Sequence, residues 1–251
     1  TYVSANEISV TSPDSKSEMK VFDKDNYLWF MVSYENKAII YPSVLGINGN
    51  GEGKEGMQIG NARSSTVNET WKPVYGERSV VKNHYDSSMI DLSHPSNPRR
   101  HLQLEIRVYN EGVAFRYHFP GGEYLHITSE YTQYTLPEGT KAWYTARAQT
   151  PYELLPLSGW PGESERPLVL QLQEGPYVLL TEAQVVNYTR TKFALDAGKP
   201  NTIKSVMYGA VNGIDPFDTP RRVIIAATKP GHMIENNDIL LNLNPPSAIH
   251  N

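Results

Sequence analysis

Residues 101–119 read HLQLEIRVYNEGVAFRYHF, and the pattern of this stretch decides the fold class. Leu102, Leu104, Ile106 and Val108 alternate with Gln103, Glu105 and Arg107. After Asn110-Glu111-Gly112 the alternation restarts, with Val113, Phe115, Tyr117 and Phe119 set against Ala114, Arg116 and His118. Two period-two runs joined by a glycine-containing turn predict a β-hairpin with one dry and one wet face.

The same period recurs on either side. Strands are predicted at 18–22, 28–34, 37–41, 79–85, 88–92, 168–172, 177–180, 205–208 and 222–227. Turn-rich stretches separate them, such as 46–56, 93–100 and 120–122. Sixteen tyrosines and four tryptophans suit pleated, half-buried surfaces. No segment carries a long 3.6-residue apolar stripe, and 236–243 reads as a helical turn or a last strand. Many short strands at this spacing predict an all-β protein, a large two-sheet antiparallel sandwich with few or no helices. Residues 1–244 are expected to form one domain. The closing NPPSAIHN turns to proline and polar residues, so 245–251 reads as the start of a linker to a further domain.

Composition excludes several functions. A net charge of -4 with no basic block argues against nucleic-acid binding; Arg99-Arg100-His101 and Arg221-Arg222 are short and isolated. No apolar run approaches the roughly 20 residues that span a bilayer. The chain has no cysteine, hence no disulfide, thiolate metal site or cysteine nucleophile. The opening TYVSANEISV lacks a charged and apolar leader, so any secretory signal is expected to have been removed or never to have been present. No self-contained catalytic motif occurs, and the seven histidines form no pair at metal-ligand spacing. His118 falls on the polar face of its strand, where a solvated or hydrogen-bonded role is expected.

Two features stand out against this background. In YVLLTEAQVVNY (177–188), Glu182 follows Val178 and Leu180 onto one face if the strand continues. A buried carboxylate there would need a cation or several donors, and a hard cation such as calcium takes oxygen ligands. If the strand ends at Leu180, Glu182 faces water instead. The second feature is NETWKPVYGERSVVKNHYD (68–86), which gathers Trp71, Tyr75, Glu77, Asn83, His84 and Tyr85 as a substrate site or a domain interface. Trp143, Tyr144 and Trp160 add stacking surface if exposed, although aromatics in β proteins commonly fill the core.

Several segments together resemble a known family. TSPDSKSEMKVF, YENKAIIYPSVLGI, ETWKPVYGERSVVKNHYD, RVYNEGVAFRYHFP, GPYVLLTEAQVVNY, DTPRRVI and LLNLNPP make the chain similar to the N-terminal domain of glycoside hydrolase family 97. That family comprises bacterial α-glucosidases and α-galactosidases. The resemblance implies a β-super-sandwich of the galactose-mutarotase type and a downstream (β/α)8 barrel that supplies the catalytic carboxylates. It implies an oligosaccharide substrate and a calcium ion whose one ligand from this domain is Glu182, the other ligands lying on the barrel. It also implies that this chain alone is inactive and works in the bacterial periplasm or cell envelope. Arg222 matches an arginine of the family and joins the substrate or interface candidates; Arg221 stands where the family often has tryptophan. A free-standing carbohydrate-binding module and a mutarotase-type epimerase are the alternative functions.

Overall fold

The computed structural model describes residues 6–49, 54–95, 101–214 and 216–246. The first strands are β1 (Glu7–Thr11), β2 (Ser17–Lys24), β3 (Tyr27–Tyr34), β4 (Lys37–Leu45), β5 (Ile47–Gly49), β6 (Gln58–Trp71) and β7 (Val81–Ser93). The middle of the chain forms β8 (Leu102–Tyr109), β9 (Gly112–Phe119), β10 (Tyr124–Glu130), β11 (Gln133–Thr135), β12 (Lys141–Tyr144), β13 (Glu153–Pro156) and β14 (Leu168–Gln171). The last strands are β15 (Tyr177–Ala183), β16 (Thr191–Leu195), β17 (Thr202–Met207), β18 (Val211–Ile214), β19 (Phe217–Asp218) and β20 (Arg221–Ala227). Two short helices follow, α1 (His232–Glu235) and α2 (Asp238–Leu243).

All pairing is antiparallel. One sheet runs β1-β2-β3-β4-β11-β17-β16, and the other runs β13-β12-β14-β15-β20-β9-β8-β7-β6 with β19 beside β9. A small third sheet, β18-β10-β5, is added to the two that the sequence predicts. The all-β class and the scarcity of helix hold, and 236–243 resolves to helix. The two strands expected at 79–85 and 88–92 are one continuous strand, β7. Residues 247–251 of the expected linker, along with Arg99 and Arg100, lie outside the described residues. Among the described residues no helix is long and apolar enough to cross a membrane.

The two large sheets face each other across the main core. Phe30 meets Phe115 at 5.4 Å between ring centroids, with Leu104, Ile106 and Leu180 around them. A second apolar cluster covers the opposite face of the larger sheet. There Tyr85, Tyr109, Ala114, Val223 and Ile225 pack beneath Ile239 and Leu243 of α2. The central strands of that sheet are therefore buried on both faces, and β20 has no exposed residue.

The opening hairpin forms as the alternation predicts, with Tyr109 paired to Gly112 and Gln103 to His118. Its glycine serves a purpose other than turn geometry. A Cβ at Gly112 would lie 2.2 Å from the Ile224 carbonyl oxygen and 2.9 Å from the Ile225 Cα of β20. Backbone cannot yield as a flexible side chain can, so Gly112→Ala is expected to destabilise by about 1–3 kcal/mol. Urea unfolding monitored by tryptophan fluorescence checks this.

One long strand escaped the sequence reading. β6 carries QIGNARSSTVNETW and is exposed along nearly all its length, at the edge of the sheet. With both faces wet it has no apolar alternation to reveal it.

Candidate functional site

β15 and β20 pair with Glu182 opposite Arg222 and Ala183 opposite Arg221. Because successive strand residues alternate in direction, the two arginines leave β20 on opposite faces. Arg222 enters the space between the sheets and Arg221 lies on the outer face.

Inside, Arg222 binds two carboxylates. Its Nε donates to Glu130 Oε2 at 3.0 Å and its Nη2 to Glu130 Oε1. Its Nη1 donates to Glu182 Oε2 and, at 3.4 Å, to Thr191 Oγ1. Glu182 also accepts from the Thr191 hydroxyl at 3.0 Å and the Thr191 amide at 3.4 Å, and it pairs with Arg166 Nε. Tyr188 donates its hydroxyl to Glu130 Oε1 at 2.6 Å. The result is an alternating row, Glu130–Arg222–Glu182–Arg166, in which charges cancel. Glu130, Glu182 and Arg222 expose only 1, 2 and 3% of their side chains, whereas Arg166 exposes 21%. Burial opposes the Arg222 cation, but Glu130 and Glu182 outweigh it and hold the guanidinium above its ordinary range. Burial, with Glu130 adding to it, raises the Tyr188 phenol.

This settles one alternative left by the sequence. The strand does not end at Leu180; β15 continues through Ala183, and Glu182 shares the inner face with Leu180. Nor is the carboxylate partly exposed, as a lone ligand awaiting other domains would be. Two guanidinium groups and Thr191 close around it because desolvating an unpaired carboxylate is costly. A closed calcium site needs six to eight oxygens. Among the described residues no three His, Asp or Glu side chains converge, and Glu182 faces cations. Both Glu182 oxygens are occupied by Thr191, Arg222 and Arg166, so the carboxylate could serve as one ligand of a shared site only if Arg166 left it.

The outer face carries a second charged group. Glu105 accepts from Arg107 Nε at 2.8 Å, Arg116 Nε at 2.6 Å and Arg221 Nη2 at 3.0 and 3.1 Å. Arg116 Nη1 also lies 2.8 Å from Asp218 Oδ2, and His118 Nδ1 lies 2.7 Å from Asp218 Oδ1. The wet face expected of the hairpin is thus largely an ion network, and His118 is hydrogen-bonded as expected. Burial raises the Glu105 carboxyl, but Arg221, Arg107 and Arg116 outweigh it and bring it down to about 2. Burial, resisted by Glu105 and reinforced by Arg107 and Arg116, lowers Arg221 to about 10.

The remaining candidates lie elsewhere, around the helices. Trp71 Nε1 donates to Asn242 Oδ1 at 2.8 Å, and Arg78 Nε to Asp238 Oδ1 at 2.8 Å. Tyr75 and Glu77 are exposed and line a cleft of about 520 Å³ with Leu179, Met233 and Ile234. Asn83 is buried and donates to Glu69 Oε1 at 2.8 Å, while His84 borders a 90 Å³ cavity with Tyr109 and Asn242. Tyr85 lies in the apolar cluster under α2. Arg222 is not with this group. Of the other aromatics, Trp143 is exposed, whereas Tyr144 is buried against Trp160 at 5.5 Å between centroids.

Sequence reading missed Arg166, Glu130, Glu105 and Arg116. Glu105 and Arg116 alternate properly with apolar neighbours and so look solvated. Glu130 ends a strand that was not predicted.

Comparison with known proteins gives a consistent result. The profile described as glycosyl-hydrolase 97 N-terminal matches residues 10–246. A probable retaining alpha-galactosidase of Streptomyces bingchenggensis is 23% identical over 203 residues, which cover 79% of this chain and 32% of that protein. A retaining alpha-galactosidase of Bacteroides thetaiotaomicron is 23% identical over 139 residues, covering 54% and 20% respectively. A glycoside hydrolase family 97 enzyme from Pseudoalteromonas sp. strain K8, solved in complex with acarbose, superposes with a TM-score of 0.89 at 23% identity. That match covers 97% of this chain and 39% of that one. The chain spans a third or less of the length of these curated relatives.

Proposed function

The chain belongs to the glycosyl-hydrolase 97 N-terminal family, and on that premise we propose that it is the non-catalytic domain of a calcium-dependent α-glycosidase. The whole enzyme would hydrolyse terminal α-glucosyl or α-galactosyl residues of oligosaccharides, with catalytic carboxylates supplied from outside this chain. The match across residues 10–246 carries this reading. The domain packs on the catalytic barrel and places the enzyme, by family, in the bacterial envelope; fractionating cells and probing with an antibody tests the latter.

In this reading Glu182 contributes one oxygen ligand to the ion. When bound, calcium supplies a positive charge that can orient or polarise groups beside the scissile bond. This chain's part is to hold the carboxylate in place. Arg222 and Thr191 fix Glu182 from within, while Arg166, the more exposed partner, is the one free to withdraw.

The test uses the complete polypeptide with p-nitrophenyl α-glucoside and α-galactoside. Activity is expected there, none from residues 1–251 alone, and at least a hundredfold loss in kcat/KM on Glu182→Ala. Circular dichroism of the variant separates this loss from misfolding. Full activity in a folded Glu182→Ala enzyme, or in one treated with chelator, removes the calcium role.

A further inference from the structure

A cleft of about 430 Å³ opens between the end of β10, the start of β11 and the last residues of β17. Its volume falls within the roughly 300–1,000 Å³ of small-molecule sites. Part of the lining is apolar, with Val206, Met207 and the half-buried Tyr131 ring. The rest carries hydrogen-bonding groups, chiefly Gln133, Asp196 and Lys204, with Lys54 beside them.

These groups are held in place. Gln133 of β11 stands opposite Lys204 of β17, so both side chains leave the smaller sheet on one face. Gln133 Nε2 donates to Asp196 Oδ2 at 2.9 Å, and the Gly198 amide donates to Asp196 Oδ1 at 2.8 Å. That leaves the Gln133 carbonyl oxygen as an acceptor facing its surroundings. Lys54 and Lys204 form no ion pair among the described residues. Tyr131 is fixed by its amide, which donates to the Gly46 carbonyl at 2.8 Å. The missing side chain of Gly46 lets Lys54 and Tyr131 close over it. A Cβ there would lie 3.2 Å from Lys54 Cβ and 3.3 Å from the Tyr131 ring.

The lining decides what fits. A purely apolar guest would set Lys204, Asp196 and Gln133 against hydrocarbon without partners. A divalent cation needs several oxygen ligands, and the two carboxylates here are engaged. Glu130 is held by Arg222 and Tyr188, and Asp196 by Gln133 and Gly198. A ring rich in hydroxyls, with apolar C–H faces, meets both kinds of lining. We propose that this cleft binds one glycosyl unit of a neutral oligosaccharide. Sugar hydroxyls accept from Lys54 and Lys204 and donate to Asp196 and the Gln133 carbonyl, while a C–H face packs on Tyr131 and Met207. This site stands whether or not Glu182 ligates calcium, since neither Lys204 nor Gln133 touches Glu182.

Titrating the isotope-labelled 251-residue chain with maltotriose and, separately, melibiose reads the site through amide chemical shifts. Saturable shifts are expected at 128–133 and 204–207, half-maximal at millimolar sugar. A response to either sugar supports the site, and the stronger one reports the preferred glycosyl unit. Gln133→Ala and Lys204→Ala are each expected to weaken binding about tenfold. If Gln133→Ala does not fold, Lys204→Ala decides alone, because that side chain is exposed. Inorganic phosphate is the third titrant. Saturation by phosphate without a response to sugar would mark an anion site on the two lysines and overturn the proposal. So would an absence of any sugar response, sugar shifts confined to other segments, or binding undiminished in the folded variants.

Discussion

Arg222→Met should cost at least about 3–5 kcal/mol, the range for removing one partner of a buried ion pair. Methionine approximates the stem but leaves Glu130 and Glu182, each almost fully buried, without the cation between them. Arg166 still neutralises Glu182, so Glu130 bears most of the loss, with only the Tyr188 hydroxyl remaining. A loss of this size is a large share of the stability of an ordinary domain, about 5–15 kcal/mol. Urea unfolding at neutral pH checks it. Adding Glu130→Gln to Arg222→Met should recover part of the loss, because it removes the stranded charge. A single variant within 1 kcal/mol of wild type would contradict the inward placement of Arg222.

The second large effect concerns acid. Glu105 is held at about 2 in the folded protein against an ordinary 4.5. A depressed carboxyl contributes stability that is present above its ordinary value and is lost as pH falls from there through the folded value. The gap corresponds to roughly 3 kcal/mol, absent once pH is below about 2. Glu105→Gln should therefore be about 3 kcal/mol less stable than wild type near pH 6. The two curves should converge between about pH 4.5 and 2. Denaturant melts across that range read the difference directly, and parallel curves would remove Glu105 as the network's anion.

The sequence made much of the fold legible where a sheet face is half wet. Leu102 to Phe119 alternates because one side meets the main core, and that alternation alone gave the hairpin and the class. The same rule broke down on β20. RRVIIAA is buried throughout, so nothing in its pattern tells which arginine faces which side. Each arginine finds its acid across long separations, Arg221 at Glu105 and Arg222 at Glu130 and Glu182. Such pairings are set by strand order, which no local pattern encodes. Glu182 was legible as an oddity, a charge in apolar phase, but its answer lay in Arg166 and Thr191, neither of which draws notice in the sequence. β6 was invisible for the opposite reason, since a strand wet on both sides has no hydrophobic period to show.

That edge strand has a consequence for solubility. β6 is 14 residues long and lies at the sheet margin, so alternate residues along it present open backbone groups, the arrangement that invites a second chain to add on and start a fibre. Polar side chains are its protection: Asn61, Ser64, Ser65, Thr66 and Asn68 keep the margin hydrated without a proline among them. Ser64 and Ser65 pair directly with Ser88 and Ser87. Valines at these two serines would favour extended backbone and leave the fold intact, yet they would make the margin sticky. Serine and threonine along β6 thus serve twice, since Ser65 and Thr66 also hydrogen-bond Ser87 and Asp86 of β7 within the sheet.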